Sequence, residues 1–558
     1  MPPPEKVNDT HHLRGGGHLD SRYNGRVDIQ EKIMGNNNEA VKKLTGAAGI
    51  IMIATFLSRI TGFLRTLLIT TNMLPKGYSD EFLLAFTLPD LVYDLLAGGA
   101  IAAALIPILS AYIAKDKESV GWKAVSTFMN LTVIVMVILE VIFFIFTDNL
   151  LGILAGGYNE GVSGDKDLLI RLTRILLLSA PFMMMAGQFN GILNSYKRFA
   201  VASFGPVIYN LCTILSIAVF GAKSAELTAW GVVFGAAIFF IVQLIGTLRH
   251  LTLYKPRLFL GSQAFKKLLA LAVPSLLSST IIEVNLIISR GYATYFDKGM
   301  VTLLNSANRT WQLPLGIFAQ SIGIALLPTL SEHYASESYG EFKNVLYKGL
   351  KVVYLLSMPT SLIMMILNQD IMRVLFKWGS FSEYEVFYGG LSLLGYSAAL
   401  VFASMMALMT RAFYAIHDSK TPLVSGLFGI LANYLFNSFF RDFTGIGIAG
   451  TALAYAIASF VNMMILFITF KRKTGVDVIS ENFSYLVKVV VAVIPTGLVT
   501  YALSLVVRPD IGSKISQILA LCVPLAAGIG IYWLTLIRLK IPEVSYIGKL
   551  VLSRLKRS

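Results

Sequence analysis

About fourteen apolar segments, most of them longer than a strand and joined by short polar stretches, dominate this 558-residue chain. An α-helix needs roughly 20 apolar residues to cross the hydrocarbon core of a bilayer. The segments fall at 44–73, 81–114, 122–147, 168–196, 199–221, 227–248, 268–296, 300–332, 346–368, 386–415, 421–440, 444–470, 485–507 and 515–538. Fourteen spans would occupy roughly 280 positions. Hydrophobic residues make up 55% of the chain and charged ones only 14%, against about 25% charged in a soluble domain. The pattern therefore predicts an all-α polytopic membrane protein and excludes an ordinary soluble fold. No polar stretch between segments is long enough for a soluble catalytic domain.

The formal net charge of +15 would point a soluble protein toward nucleic acid, but its distribution says otherwise. With the N-terminus inside, the two tails carry 7 and 6 Lys and Arg, the six inner loops 17, and the seven outer loops 9. Basic residues accumulate on the cytoplasmic side of membrane proteins, so both termini are expected in the cytoplasm and no nucleic-acid partner is needed. Residues 1–43 contain no apolar segment and read as a disordered cytoplasmic tail, in which the irregularly spaced His11, His12 and His18 are incidental. Residues 541–558 form a basic cytoplasmic tail. Cys212 and Cys522 lie in apolar runs with no CxxC spacing and read as small apolar side chains.

An internal repeat underlies the segments. Residues 104–114 read ALIPILSAYIA and residues 325–335 read ALLPTLSEHYA, at an offset of 221. Each follows a Leu-Pro pair, Leu88-Pro89 or Leu313-Pro314, in the same expected helix. Six helices separate the copies, and an even number preserves topology, so the repeat is parallel about an axis along the membrane normal. Two six-helix lobes, 44–250 and 265–473, are expected around a central cavity, with two further helices in 485–540.

Eight basic residues lie inside the apolar segments. Arg171, Arg174, Arg411 and Lys488 are near segment ends and can reach the interface. Arg59, Arg65, Arg290 and Arg309 are not so easily placed, because a charge at the bilayer centre costs about 2.5–3.5 kcal/mol on insertion scales. Arg59 and Arg65 are about 240° apart on a helix with about 9 Å between them along its axis, so only one is expected to point straight into the cavity. Asp90 and Asp94 are four apart, share a face and are candidate partners for the arginines. Glu283 joins Arg290 on helix 7, and Glu140 reads as peripheral. Four arginines with few acids suggest an anionic ligand, since the guanidinium fork matches phosphate and carboxylate. Salt bridging between helices is the alternative.

Asn433 and Asn437 share a face of helix 11, and Thr451 opens helix 12. With Glu283 they form a candidate ion site, with hydrogen bonding between helices as the favoured alternative. No metal site is firm. Gly187 and Gly191 form a GxxxG that marks close helix packing. No Walker A, HExxH or GxSxG sequence occurs. The chain is therefore not expected to be an enzyme or a P-loop pump; secondary transport or flipping remains.

Several stretches carry a family resemblance: SRITGFLRTLLIT, DEFLLAFTLPDLVYDLLAGGAIAAALIPILSAY, GILNSYKRFAVASFGP, ANRTWQLPLGIFAQSIGIALLPTLS and TRAFYAIHDSKTP. With the count of fourteen helices, residues 44–540 resemble the MurJ (MviN) lipid II flippases of the multidrug/oligosaccharidyl-lipid/polysaccharide exporter superfamily. The resemblance implies movement of an undecaprenyl-diphosphate-linked peptidoglycan precursor from the inner to the outer leaflet of the bacterial plasma membrane. It implies alternating access around a cationic cavity, and a groove for the lipid tail formed by helices 13 and 14. By motif position the family's essential arginines fall on Arg59, Arg65 and Arg309, and a family acid on Asp80. Some family positions differ here. Thr66 stands where an acid is common, Tyr93 where an arginine is, Gly98 and Gln312 where glutamates are, and Ser289 where the acid of a sodium site is.

The resulting expectation is a flippase in which Arg59, Arg65 and Arg309, with Arg290, bind the diphosphate of lipid II, and Asp80, Asp90 and Asp94 are the cavity's charge partners. No cofactor is expected, and Na+, H+ or the membrane potential are candidate energy sources. Membrane lipids and cell-wall synthesis enzymes are the other expected partners. A flippase for another polyprenyl-linked glycan, a cation-coupled multidrug exporter of the same superfamily and a membrane scaffold are the rivals.

Overall fold

The computed structural model describes residues 53–541 apart from 99–100, 379–380 and 511–512. The expected tail at 1–43, the expected tail at 541–558 beyond its first residue, and the start of the first segment lie outside the described residues. Among the described residues twelve helices are long and apolar enough to cross a membrane. They are α1 (Ile53–Lys76), α3 (Glu118–Ile145), α4 (Lys166–Ser195), α5 (Phe199–Phe220), α6 (Ala225–Leu253), α8 (Met300–Ala335), α9 (Tyr339–Ile366), α10 (Glu383–Ala415), α11 (Lys420–Phe443), α12 (Ile448–Thr474), α13 (Ser480–Val506) and α14 (Lys514–Arg538). The second and seventh expected segments complete the fourteen. Helix α7 is Gln263–Ala293. Helix α2 (79–113) is broken into Ser79–Leu84, Thr87–Tyr93 and Ile106–Ile113, with wide π turns at Asp94–Gly98 and Ile101–Leu105. No strand occurs among the described residues. The protein is a multi-pass membrane protein.

The repeat is visible in the backbone. A proline lacks the N–H that would close a helical turn, and neighbouring turns widen to compensate. Accordingly a π turn follows Pro89 in α2, and another, Gly316–Gln320, follows Pro314 in α8. Helices α2 and α8 end in the same left-handed cap. Asp116 (φ 54°) and Glu337 (φ 57°) reverse the chain, and the next N–H, of Lys117 or Ser338, reaches back to the carbonyl of Tyr112 or His333. Helices α4 and α10 end alike, at Lys197 (φ 58°) and His417 (φ 60°).

The apolar cores tell which end of the molecule is shut. At the end carrying the α1–α2 turn, one cluster runs through both lobes, from Met73 and Phe82 to Met300, Leu303 and Tyr396. At the opposite end the lobes have separate cores. One is built around Leu105, Leu109, Trp122 and Phe128, the other around Leu346, Leu408, Phe413 and Phe470. Helix α7 straddles the two lobes. Its first half packs into the first lobe's core through Ala264, Phe265 and Leu268, and its second half is tied to α11 by a hydrogen bond between the hydroxyls of Tyr292 and Ser438. Helices α13 and α14 form their own cluster against α9, through Leu355, Val489 and Tyr532. The expected GxxxG packing is present: a Cβ on Gly191 would lie 2.6 Å from Ile101, so α4 sits directly on α2.

Candidate functional site: a cationic chamber between the lobes

A chamber of about 340 Å³ lies between α1 and α5 on one side and α8 on the other. Ser58, Arg59, Gly62 and Arg65 of α1, Asn210 of α5, and Arg309, Gln312 and Gln320 of α8 line it. Asn210 fixes α1 by donating to the carbonyl of Ser58 at 3.3 Å and to the Thr61 hydroxyl at 3.4 Å. On α8 the side-chain oxygen of Asn308 accepts from Trp311 at 2.8 Å and from Gln312 at 3.1 Å. Those bonds lock the turn that carries Arg309. Asn308 and Thr310 are buried, whereas Arg309 between them is exposed to the chamber.

Both α1 arginines face this space, although only one was expected to. The wetted arc of the helix is wider than one face, because Ser58 and Gly62 lie between the two arginines and leave the middle open. Arg59 stretches across to α8, where its guanidinium lies over Gly316. A Cβ there would come within 2.5 Å of Arg59 Nη1.

Deeper in, the other charges converge. Asp90 lies in electrostatic range of Arg65, Arg290, Arg309 and Glu283, and Arg309 in range of Arg65, Arg290, Asp90 and Glu283. Glu283 and Arg290 form an ion pair at 3.7 Å on α7. Glu283 Oε1 and Arg290 Nη1 are buried and have no hydrogen-bond partner. Tyr209 of α5 and Tyr396 of α10 close the same region, in range of Arg65 and Arg290 respectively. Thus Arg65, Arg290, Arg309, Asp90 and Glu283 share one neighbourhood, Asp94 adjoins it through Asp90 and Glu283, and Arg59 shares the chamber wall with Arg65 and Arg309.

Two expectations need correction. Asp80 is not a charge partner in the chamber. Its carboxylate is buried at the closed end and accepts from the N–H of Gly299 at 2.8 Å, the N–H of Thr302 at 2.8 Å and the Thr302 hydroxyl at 2.6 Å. It caps α8, where the helix dipole favours a negative charge. Glu283 does not join Asn433 and Asn437, because it is held on the Arg290 side of α7. The asparagines instead meet the other side of that helix. Asn433 Nδ2 donates to the Asn285 carbonyl and Asn285 Oδ1, both at 3.1 Å, and to Ser289 Oγ at 3.4 Å. Asn437 Nδ2 donates to Asn433 Oδ1 at 2.8 Å. Asn437 Oδ1 alone is buried with no partner, and Thr451 is buried on α12. This oxygen set is neutral and half consumed by its own amides, which fits a hydrogen-bonded seam better than a cation cage. Among the described residues no three His, Cys, Asp or Glu side chains are grouped to hold a metal.

Sequence reasoning missed Asn210, Gln320, Tyr209, Tyr396 and Asn285. They are ordinary residues on apolar helices and carry no motif.

Comparisons with known proteins place the chain in a family. The family model described as Lipid II flippase MurJ matches residues 73–519. A protein of Buchnera aphidicola named probable lipid II flippase MurJ is 25% identical over 478 residues, covering 84% of this chain and 92% of that protein. The lipid II flippase MurJ of Burkholderia cenocepacia is 28% identical over 428 residues, covering 75% and 82%. Among solved structures, a lipid II flippase MurJ in an inward closed conformation superposes with a TM-score of 0.69 at 21% identity, covering 87% of this chain and 99% of that one. An inward-facing transporter of the multidrug resistance MATE family gives 0.62 at 15% identity, covering 75% and 94%. The matched span takes in the first lobe after α1, the whole second lobe with Arg290 and Arg309, and α13 with the start of α14, and by it this chain belongs to the MurJ lipid II flippase family.

Proposed function

We propose that this protein moves lipid II, the polyprenyl-diphosphate-linked precursor of peptidoglycan, from the inner to the outer leaflet of the bacterial inner membrane. The single observation that carries the reading is the chamber itself. It is a hollow between two lobes, lined by Arg59, Arg65 and Arg309, and lies beside a closed end. Guanidinium groups suit a diphosphate because each can offer two parallel N–H donors. The family match supplies the identity of the lipid.

The charge distribution supports a cytoplasmic side at the end where α1 begins, and both termini there. In that orientation the structure is shut toward the outside and its arginines face inward, the state that receives a ligand from the inner leaflet. An apolar crevice of about 190 Å³ between α13 and the second lobe, lined by Leu350, Tyr354, Phe402, Met405, Phe467 and Leu486, offers a contact for a short part of the lipid's apolar tail, without α14, which was expected to share that groove. The chamber's charges also feel the transmembrane field, worth about 2.3 kcal/mol per charge per 100 mV. The neutral amide seam gives a sodium-driven cycle less support than one driven by the potential or by protons.

A multidrug exporter of organic cations shares the fold, but four arginines would repel its substrate. The test is depletion of the protein followed by measurement of labelled lipid II exposed on the outer leaflet, then complementation with wild type or Arg65→Ala. Loss of exposure that only wild type restores is expected. Unchanged exposure after depletion would exclude an essential role in moving this lipid.

A further inference from the structure

Two amide side chains in the chamber have their orientation fixed by what surrounds them. Asn210 Nδ2 donates to the Ser58 carbonyl at 3.3 Å, and a carbonyl can only accept. The amide nitrogen must therefore face α1, which leaves Oδ1 as the free polar atom. Gln312 is fixed through one further step. Trp311 Nε1 can only donate, so the Asn308 atom that meets it at 2.8 Å is the oxygen. The same oxygen lies 3.1 Å from the Gln312 amide, which must then present its nitrogen. In both side chains the donor is spent on the protein and the acceptor is left over.

Among the described residues no group donates to Asn210 Oδ1 or Gln312 Oε1, and neither oxygen is shut away from the chamber that both side chains line. Each amide belongs with an arginine. Asn210 holds the turn of α1 that carries Arg59, and Gln312 follows Arg309 by one turn of α8. The chamber thus sets fixed acceptors beside its guanidinium donors. The oxygens of a phosphate diester only accept, so the guanidinium groups alone can serve them. Carbonyl oxygens turned toward a bare terminal phosphate would oppose lone pairs to negative charge, which selects against such a ligand.

We propose that Asn210 and Gln312 accept hydrogen bonds from the sugar next to the diphosphate, and so distinguish the glycan-loaded lipid from bare polyprenyl diphosphate. The proposal rests on the flippase reading and adds to it the part of the headgroup that is read. A sugar carries hydroxyl donors directly beyond the second phosphate, where acceptors beside the arginines can meet them. Bare polyprenyl diphosphate ends instead in a charged oxygen, which gains from the arginines but is opposed by the two carbonyls. A site built to hydrogen-bond a ligand group discriminates against a ligand that leaves it unpaired.

The test uses the full chain purified in detergent and titrated with two probes, an undecaprenyl-diphosphate-linked disaccharide and undecaprenyl diphosphate. Wild type should bind the disaccharide lipid about tenfold more tightly, or better. Gln312→Met keeps the length of the side chain and removes its acceptor. It should weaken the disaccharide lipid about tenfold and leave undecaprenyl diphosphate bound as well as before or better. Asn210→Leu should shift the ratio of the two affinities the same way. Both affinities are read on one preparation, so a loss of folded protein does not alter their ratio. Equal affinity of wild type for the two lipids overturns the proposal and leaves the flippase reading standing. A ratio unchanged in both variants does the same, and an equal loss for both lipids would assign the amides to positioning the arginines. Failure of wild type to bind either lipid overturns the flippase reading as well.

Discussion

Asp80 on α2 accepts a hydrogen bond from the backbone N–H of Gly299, 219 residues away at the start of α8. One lobe thereby caps the second helix of the other. Charge-assisted bonds to a buried carboxylate are worth about 1.5–3 kcal/mol, and here the same group also serves Thr302. Asp80→Ala should therefore weaken the shut end without touching the chamber. A cysteine at Thr70, which is buried there against Ser306, would report it after Cys212 and Cys522 are replaced. Labelling of that cysteine by an impermeant thiol reagent should speed up about tenfold or more in Asp80→Ala. Unchanged labelling would mean that the cap does not hold the lobes together.

The same seam depends on backbones that nearly touch. A Cβ on Gly157, in the loop between α3 and α4, would lie 1.8 Å from the carbonyl oxygen of Thr294, next to α7. Backbone cannot give way as a flexible side chain does, so Gly157→Ala should prevent closure and abolish transport at normal membrane levels. Gly340 is the control, because a Cβ there meets nothing within 4 Å. Gly340→Ala should complement growth like wild type.

Arg309 tests the geometry of ligand binding apart from its charge. Lysine keeps the charge but replaces a planar fork with a point donor. Arg309→Lys should bind a diphosphate lipid about tenfold more weakly, roughly 1.4 kcal/mol, and lose less of that affinity than Arg309→Ala. Equal affinity of wild type and the lysine variant would show that only net charge matters at this position.

What could be read from the residues alone follows from the range of the physics involved. Helix number, the parallel repeat and the GxxxG contact depend on local patterns, and each reappears in the fold. The arginines were legible because burial in a membrane makes them conspicuous. Asp80 was misplaced for the converse reason: its partners at 299 and 302 are distant in sequence, and an acid beside a span looks the same whether it faces a cavity or caps a helix. Glu283 was grouped with the wrong neighbours because the rotation of α7 decides which side it faces. Asn285, which receives Asn433, shows the same blindness, since a single amide on an apolar helix gives no sign of what stands opposite.

Outside the spans, Asp418 in the α10–α11 loop gives a pH-dependent test of the end opposite the seam. Burial alone would raise its carboxyl, but hydrogen bonds from Lys473 at 2.6 Å and from Thr421 outweigh that and hold it below the usual carboxylate range. A group whose folded value is depressed contributes stability above its unfolded value, about 3.9, and loses it as pH falls through the lower folded value. Lys473 is about half exposed, so solvent screening limits the pair to less than about 1 kcal/mol. Lys473→Met should therefore lower the melting temperature slightly at pH 7, and the difference from wild type should shrink as the pH drops below about 3.9. In an Asp418→Asn background the same substitution should have little effect at either pH. A difference that persists in that background would assign the role of Lys473 to packing against the α12 terminus instead.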